Sequence, residues 1–237
     1  MKINLLSFTD FLQTSVGIAV FAAVAVVLLV LILDLNYRIF TKYLLDFLAA
    51  LITTLVLSPV FAVCAVVSKL RSENGCVFEK TAAVGVRGKV IAVTSFAGIG
   101  GCLKNLPRIL DVLCGKLSIV GPSVTVASDA ALIDDEASER FSVRAGVVSP
   151  LALNGNSELT YEDVFAADLK YIKKREMFKD FAILICAAVK GIRGDGRKYL
   201  GEASDKTYAQ VLLQRGAITE EQAATAKSYA EEASRNL

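Results

Sequence analysis

The segment Leu103-Lys104-Asn105-Leu106-Pro107-Arg108-Ile109-Leu110-Asp111-Val112-Leu113, running on through Gly115-Lys116-Leu117-Ser118-Ile119-Val120-Gly121-Pro122, decides how this 237-residue chain is read. Leu106, Leu110 and Leu113 recur at helical spacing, which predicts a helix over 104–114 with one apolar face. Pro107 suits the first turn of that helix, where a missing N–H costs nothing. Gly115 suits its end. On this reading Lys104 and Asp111 lie two turns apart on one face, about 10 Å from each other.

Working outward, Val84 to Thr94 is rich in β-branched residues around a Gly-containing turn and predicts a short hairpin. Gly98-Ile99-Gly100-Gly101 lacks the Lys-Ser/Thr of a P-loop and the third spaced glycine of a dinucleotide fingerprint. It reads as a connector, with an anion-binding nest as the alternative. Downstream, Thr160 with Asp163 is suited to cap a helix on which Asp168 and Tyr171 share a face. Phe178 to Ile192 predicts an amphipathic helix with Lys179, Lys190 and Arg193 at its edges, suited to packing beneath a membrane segment or along the interface. Thr219-Glu220-Glu221-Gln222 opens a last helix, preceded by a short one ending near Gly216.

The first third is a different material. Hydrophobic residues make up 54% of the chain and the mean hydropathy is +0.52, and the excess lies before residue 70. Phe11 to Leu33 carries no charge over 23 residues. As a helix it would measure roughly 34 Å, enough to span a bilayer. It is too long for the apolar part of a signal peptide, and Asp34-Leu35-Asn36-Tyr37-Arg38 offers no small-residue cleavage site. Arg38 and Lys42 follow the span and Lys2 alone precedes it, which predicts the N-terminus outside and residue 38 in the cytoplasm. A second uncharged run, Phe47 to Ser68, holds Ser58-Pro59 at its middle, where a kink is expected. Basic residues flank it on both sides, Arg38 and Lys42 before and Lys69 and Arg71 after. That symmetry favours a re-entrant helix over a kinked second crossing.

Charge and composition narrow the rest. A net charge of +2 argues against nucleic acid as a partner. Basic clusters at 69–71, 170–179 and 190–198 suit an anionic membrane surface or ordinary solvated helix faces. There is no histidine, so any proton transfer falls to carboxylates, Lys or Tyr. Five scattered cysteines without a CxxC pair argue against a zinc site or a disulfide framework and fit a reduced cytoplasmic setting.

The decisive segment resembles the core motif of the bacterial sugar transferases, the monotopic polyprenyl-phosphate phosphoglycosyl transferases. That motif reads Leu-Asp-Glu-Leu-Pro-Gln, then Val-Leu-x-Gly, then Ser-Leu-Val-Gly-Pro. The likeness extends over about 43–195: Phe78 with Gly88-Lys89, Phe96, Ser118 to Pro122, Val143-Arg144-Ala145-Gly146-Val147, Leu153-Asn154-Gly155-Asn156, and Tyr161-Glu162-Asp163 with Phe165, Asp168 and Tyr171. It implies a membrane-anchored α+β protein. Its parts would be an N-terminal transmembrane helix over 1–37, a Ser58-Pro59-broken re-entrant helix over 38–74, and a mostly helical cytoplasmic domain with a short hairpin over 75–200. A helical appendage over 201–237 lies beyond it. The ligand-contacting positions it implies are Lys89, Ser118, Gly121, Pro122, Arg144, Asp168 and Tyr171.

The resemblance also implies a reaction: transfer of a sugar-1-phosphate from a UDP-sugar to undecaprenyl phosphate, with the motif Asp as nucleophile and the Glu helping to hold Mg²⁺. Lys104 and Asn105 stand at those two positions. Phosphoryl transfer through a covalent intermediate needs an anionic oxygen and a hard oxygen ligand for the metal, and neither residue supplies them. Arginines expected after Phe96, after Pro122 and beside Asn156 are missing too, as is the one expected in the stretch before Gly88. The expectation is a degenerate, inactive transferase-like protein needing no cofactor. It would be a partner or regulator in surface-glycan assembly at the inner membrane, paired with an active paralogue or with itself. The alternative is a Mg²⁺-dependent enzyme whose nucleophile has moved to Asp111, Asp134, Asp135 or Glu136.

Overall fold

The computed structural model describes residues 15–153, 159–192 and 206–235. The chain divides into two units, one ending at Lys42 and the other beginning at Tyr43. The expected starting residues of the first span, 11–14, the Asn154–Asn156 segment, Arg193 and the boundary at 200 lie outside the described residues.

The first unit is helix α1 (Ser15–Leu35) followed by a π turn over Tyr37–Thr41. Val16–Asp34 is long and apolar enough to cross a membrane, and its large side chains, among them Phe21, Leu28 and Ile32, are exposed. Lys42 holds its ammonium 5.6 Å from the centre of the Tyr37 ring.

Helix α2 (Lys42–Val56), which lies in the second unit from Tyr43 on, is followed by α3 (Ser58–Arg71), and the two are bent by 69° at Leu57. The kink expected at Ser58-Pro59 is therefore a break between two helices. Pro59 sits in the first turn of α3, where its missing donor is harmless, and Ser58 Oγ donates to Leu55 O at 2.8 Å. Both helices show apolar side chains to the outside, including Leu48, Leu51, Leu55, Val63 and Val66.

Polar bolts hold the pair to the rest of the unit. Asp46, buried, accepts from Ser118 Oγ (2.7 Å), Ile119 N–H (3.2 Å) and Arg144 Nη2 (3.0 Å). The Arg144 guanidinium lies 4.0 Å over the Tyr43 ring. Ser68 Oγ lies 2.6 Å from both Val77 O and Ala97 O, at the open end of the hairpin.

That hairpin pairs β1 (Phe78–Val84) with β2 (Val90–Phe96) in register Phe78↔Phe96 to Val84↔Val90, so it is longer than the sequence reading of 84–94. Its turn uses positive φ at Arg87 and Gly88. The expected helix over 104–114 is corrected. Gly101–Asn105 forms a 3-10 turn, Pro107 is the N-cap, and α4 covers only Arg108–Leu113. Lys104 and Asp111 accordingly do not share a helix. Gly115 does close α4, with φ 72 and an N–H to Val112 O at 2.9 Å.

Strand β3 (Ser118–Val120) is followed by β4 (Thr125–Val126), which pairs with the free edge of β1. Two one-turn helices come next, α5 (Ala127–Ala130) and α6 (Asp135–Ser138). Strand β5 (Gly146–Val148) then runs parallel to β3. The core between sheet and helices gathers Ala50, Val93, Val112, Leu117, Val120, Tyr171 and Ile183. Helix α7 (Tyr161–Lys173) carries the expected Thr160–Asp163 capping box, and α8 (Met177–Ile192) buries Ile183 while exposing Phe178, Phe181, Ile185 and Val189. The appendage forms α9 (Tyr208–Gln214) and α10 (Glu220–Arg235), as expected. It docks on the unit through Val211 against Tyr161, Val164 and Phe165, and through Ala230 against Val84 and Ala127.

Candidate functional site

A cavity of about 600 Å³ opens where α4, the β4–α5 corner, β5, α7, α8 and the start of α9 meet. Its walls carry the cations Arg108, Arg140, Lys190 and Lys206 and the hydroxyls of Ser123, Thr125 and Ser149. Among the described residues Asp129 is the one carboxylate in its lining, and both its oxygens accept backbone N–H groups, from Tyr208 (3.2 Å) and Ala209 (3.4 Å). Burial pushes the Asp129 carboxyl above its usual range against those two hydrogen bonds.

Arg140 is held by protein partners. Nη2 donates to Asp168 Oδ2 (2.5 Å) and to Ser123 O (2.9 Å), and the guanidinium stacks 4.7 Å over the Phe165 ring. Burial pulls its proton affinity down and Asp168 pulls it back up. Its Nε remains buried without a partner. Arg108 differs: among the described residues it makes no hydrogen bond or ion pair, and its Nε too is buried without a partner. Burial lowers its proton affinity, with Asp111 opposing.

The candidate residues from the sequence scatter. Of the dyad positions, Lys104 is exposed and pairs with Glu79 at 3.8 Å, while Asn105 lines the cavity. Asp111 is buried, accepting from Thr94 N–H (2.7 Å) and Thr94 Oγ1 (3.1 Å), with Lys116 at 3.7 Å. Asp134 caps α6 by accepting from Ala137 N–H, and Asp135 and Glu136 point to solvent. Lys89 is exposed in the hairpin turn. Ser118 and Arg144 serve Asp46, Gly121 and Pro122 are buried beside β5, Asp168 holds Arg140, and Tyr171 donates to Asp180 (2.7 Å) and Val120 O (3.2 Å). None of these seven lines the cavity.

Among the described residues no group of three His, Cys, Asp or Glu side chains converges, and the dyad positions hold an ammonium and an amide. Of the residues that line the cavity, only Asn105 is among the candidate site residues of the sequence, and Arg108, Arg140 and Lys206 are not. The available signal was Pro107-Arg108, where the motif calls for Pro-Gln.

Comparison with known proteins gives the same neighbourhood. Residues 101–194 match the family model for the bacterial sugar transferases. Over 94 residues the chain is 29% identical to the uncharacterized sugar transferase EpsL of Bacillus subtilis, which covers 40% of this chain and 46% of EpsL. Over 82 residues it is 28% identical to the exopolysaccharide production protein ExoY of Rhizobium meliloti, covering 35% of this chain and 36% of ExoY. Over 94 residues it is 28% identical to the undecaprenyl-phosphate galactose phosphotransferase of Salmonella typhimurium, covering 40% of this chain and 20% of that protein. In each case the likeness spans less than half of the relative.

Proposed function

We propose that this chain, which belongs through residues 101–194 to the bacterial sugar transferase family, is a degenerate member without turnover that acts as a partner or regulator in polyprenyl-linked surface-glycan assembly. One observation carries the reading. The nucleophile position holds an exposed lysine paired to Glu79, and among the described residues the one acid lining the cavity, Asp129, is engaged by the Tyr208 and Ala209 N–H groups. Asp111 is spent on Thr94 and Lys116, and Asp134 on a helix cap, so the rearranged-enzyme alternative gains no support from them.

The same proposal seats the protein in the bacterial inner membrane. Helix α1 would cross with the N-terminus outside, by the excess of basic residues after it. The bent α2–α3 pair would enter and return on the cytoplasmic side, with basic residues at both ends. The exposed stripe Phe178, Phe181, Ile185 and Val189 on α8 would lie in the interface, with Lys173, Lys174 and Lys179 nearby for anionic headgroups. The partner would be an intact paralogue or a second copy.

The test is UMP release by the full chain in lipid nanodiscs, given Mg²⁺, undecaprenyl phosphate and a panel of UDP-sugars beside an intact family member. No release above background is expected on any sugar. Lys104→Asp with Asn105→Glu together should remain silent, because Arg144 is engaged by Asp46 and the arginines after Phe96 and Pro122 are absent. Turnover by the natural chain, or full activity of the double variant, would overturn the proposal.

A further inference from the structure

We infer that the C-terminal appendage, α9 with α10, is a detachable wall of the cavity. It closes the cavity when docked and opens it by lifting away as a unit, while the rest of the second unit stays folded. This device goes beyond the function proposed above and holds whether or not the domain turns over.

The appendage supplies part of the wall. Lys206, Thr207 and Tyr208, which lead into α9, line the cavity and lie beyond the matched 101–194. The Tyr208 ring covers an aromatic face of the body, 5.0 Å from the Tyr161 ring and 5.2 Å from the Phe165 ring. Both of those rings line the cavity as well. Lifting α9 therefore removes one side of the cavity and uncovers Tyr161 and Phe165.

Its fastening is light. Among the described residues of the appendage, Val211 and Ala226 are the ones with buried side chains, while Leu212, Leu213 and Ile218 are half-buried. Along α10 the residues drawn in from solvent are Ala223, Ala226, Ala230 and Ala233, at helical spacing, and all of them are alanines. Each withdraws a single methyl group from water, so little apolar area holds that helix. Other ties are ones that water replaces on release. The Tyr161 hydroxyl donates to Lys206 O at 2.8 Å, and Arg215 pairs with the exposed Glu162 at 2.6 Å.

Asp129 is the latch. Its two oxygens take the N–H groups of Tyr208 and Ala209, the first two of α9, and Thr207 Oγ1 takes that of Gln210 at 3.3 Å. The Thr207–Gln210 capping box is local and travels with the helix, so at the start of α9 the bonds to Asp129 are the ones release breaks. Burial raises the Asp129 carboxyl more than those two hydrogen bonds lower it. The docked carboxylate thus stands short of the hydration it regains when α9 leaves, and that works against the contact. A unit held by alanines, exchangeable polar ties and a latch under this opposition opens ahead of global unfolding.

The experiment is native-state hydrogen exchange of the full chain in nanodiscs, paired with thiol labelling of Ala152→Cys, a half-buried position on the cavity wall outside the appendage. Hydrogen-bonded amides of α9 and α10 should exchange about 100-fold or more faster than those of Asp168 to Lys173 in α7. Val211→Ala should speed the appendage amides about tenfold further and leave those α7 amides unchanged. A bulky maleimide should label the Ala152→Cys thiol, located by peptide mapping, about tenfold faster once Val211→Ala is added. Arg215→Gln, at the exposed pair with Glu162, should raise both rates about twofold and carries the comparison should Val211→Ala fail to fold. Exchange of the appendage in step with α7, acceleration of both alike by the variants, or labelling indifferent to the variants overturns the inference.

Discussion

Asp168→Ala should lower the stability of the second unit by about 3–5 kcal/mol, measured by urea-dependent proteolysis of the full chain in nanodiscs. Asp168 is fully buried, and its Oδ2 accepts from Arg140 Nη2 and from Ser123 N–H at 3.1 Å. Alanine leaves the Arg140 guanidinium buried against Phe165 with its charge uncompensated, and that orphaned cation sets most of the cost. Asp168→Asn keeps the shape and is the sharper probe of charge. Burial lifts the Asp168 carboxyl to about 6 in the fold, against the pull of Arg140 and the Ser123 N–H. Unfolded, it titrates near ~3.9. Between those values the folded state holds a proton the unfolded state has lost, so this group's contribution to stability falls as the pH rises from about 4 to about 6 and is level above. The natural chain should show that decline. Asp168→Asn should lack it, while the similar rise at Asp129 is common to both and cancels in the difference.

What the sequence disclosed was local. Thr160 with Asp163, Gly115 after α4, the Ser58-Pro59 break and the Thr219–Gln222 cap each rest on atoms within a few residues, and each stands in the fold. The hairpin was legible for the same reason, although the strands run to Phe78 and Phe96 because Phe78 stacks on Phe96 and extends the pairing. The helix over 104–114 failed at its start. Leucine spacing cannot tell a 3-10 turn from α-helix, and the backbone that suits Pro107 at an N-cap separates Lys104 from the helix.

Non-local pairings were out of reach. Asp46 meets Ser118 and Arg144 across most of the domain, and no periodicity announces it. Spacing puts Asp168 and Tyr171 on one helix face, and the resemblance implies that they contact ligand. That face is turned inward, against Val120, Asp180 and Arg140. The cavity draws its cations from four separate segments, so a search anchored on the dyad found only Asn105 of its lining.

Gly146→Ala should cost more than about 3 kcal/mol, measured by urea-dependent proteolysis of the full chain in nanodiscs. The reason is backbone against backbone. A Cβ on Gly146 would collide with Gly121 N and lie 2.6 Å from Val148 O, and a Cβ on Gly121 would lie 2.6 Å from Arg144 O. No side chain can swing away to relieve either contact. The close approach is what lets Gly146 N–H donate to Pro122 O at 2.8 Å and Gly121 N–H to Val148 O at 3.1 Å, tying β3 to β5. Gly100→Ala is the control, with open space around its Cβ and an ordinary φ of −101, and should change stability by no more than about 0.5 kcal/mol. The two glycines also connect fold to site. Forcing β3 and β5 apart separates Ser123 from Ser149, and Ser123 also positions Arg140 through its carbonyl oxygen and Asp168 through its N–H. The Gly121-Pro122 and Ala145-Gly146 turns therefore hold the cavity wall in place, a role that does not depend on Lys104 or Asn105 performing any chemistry.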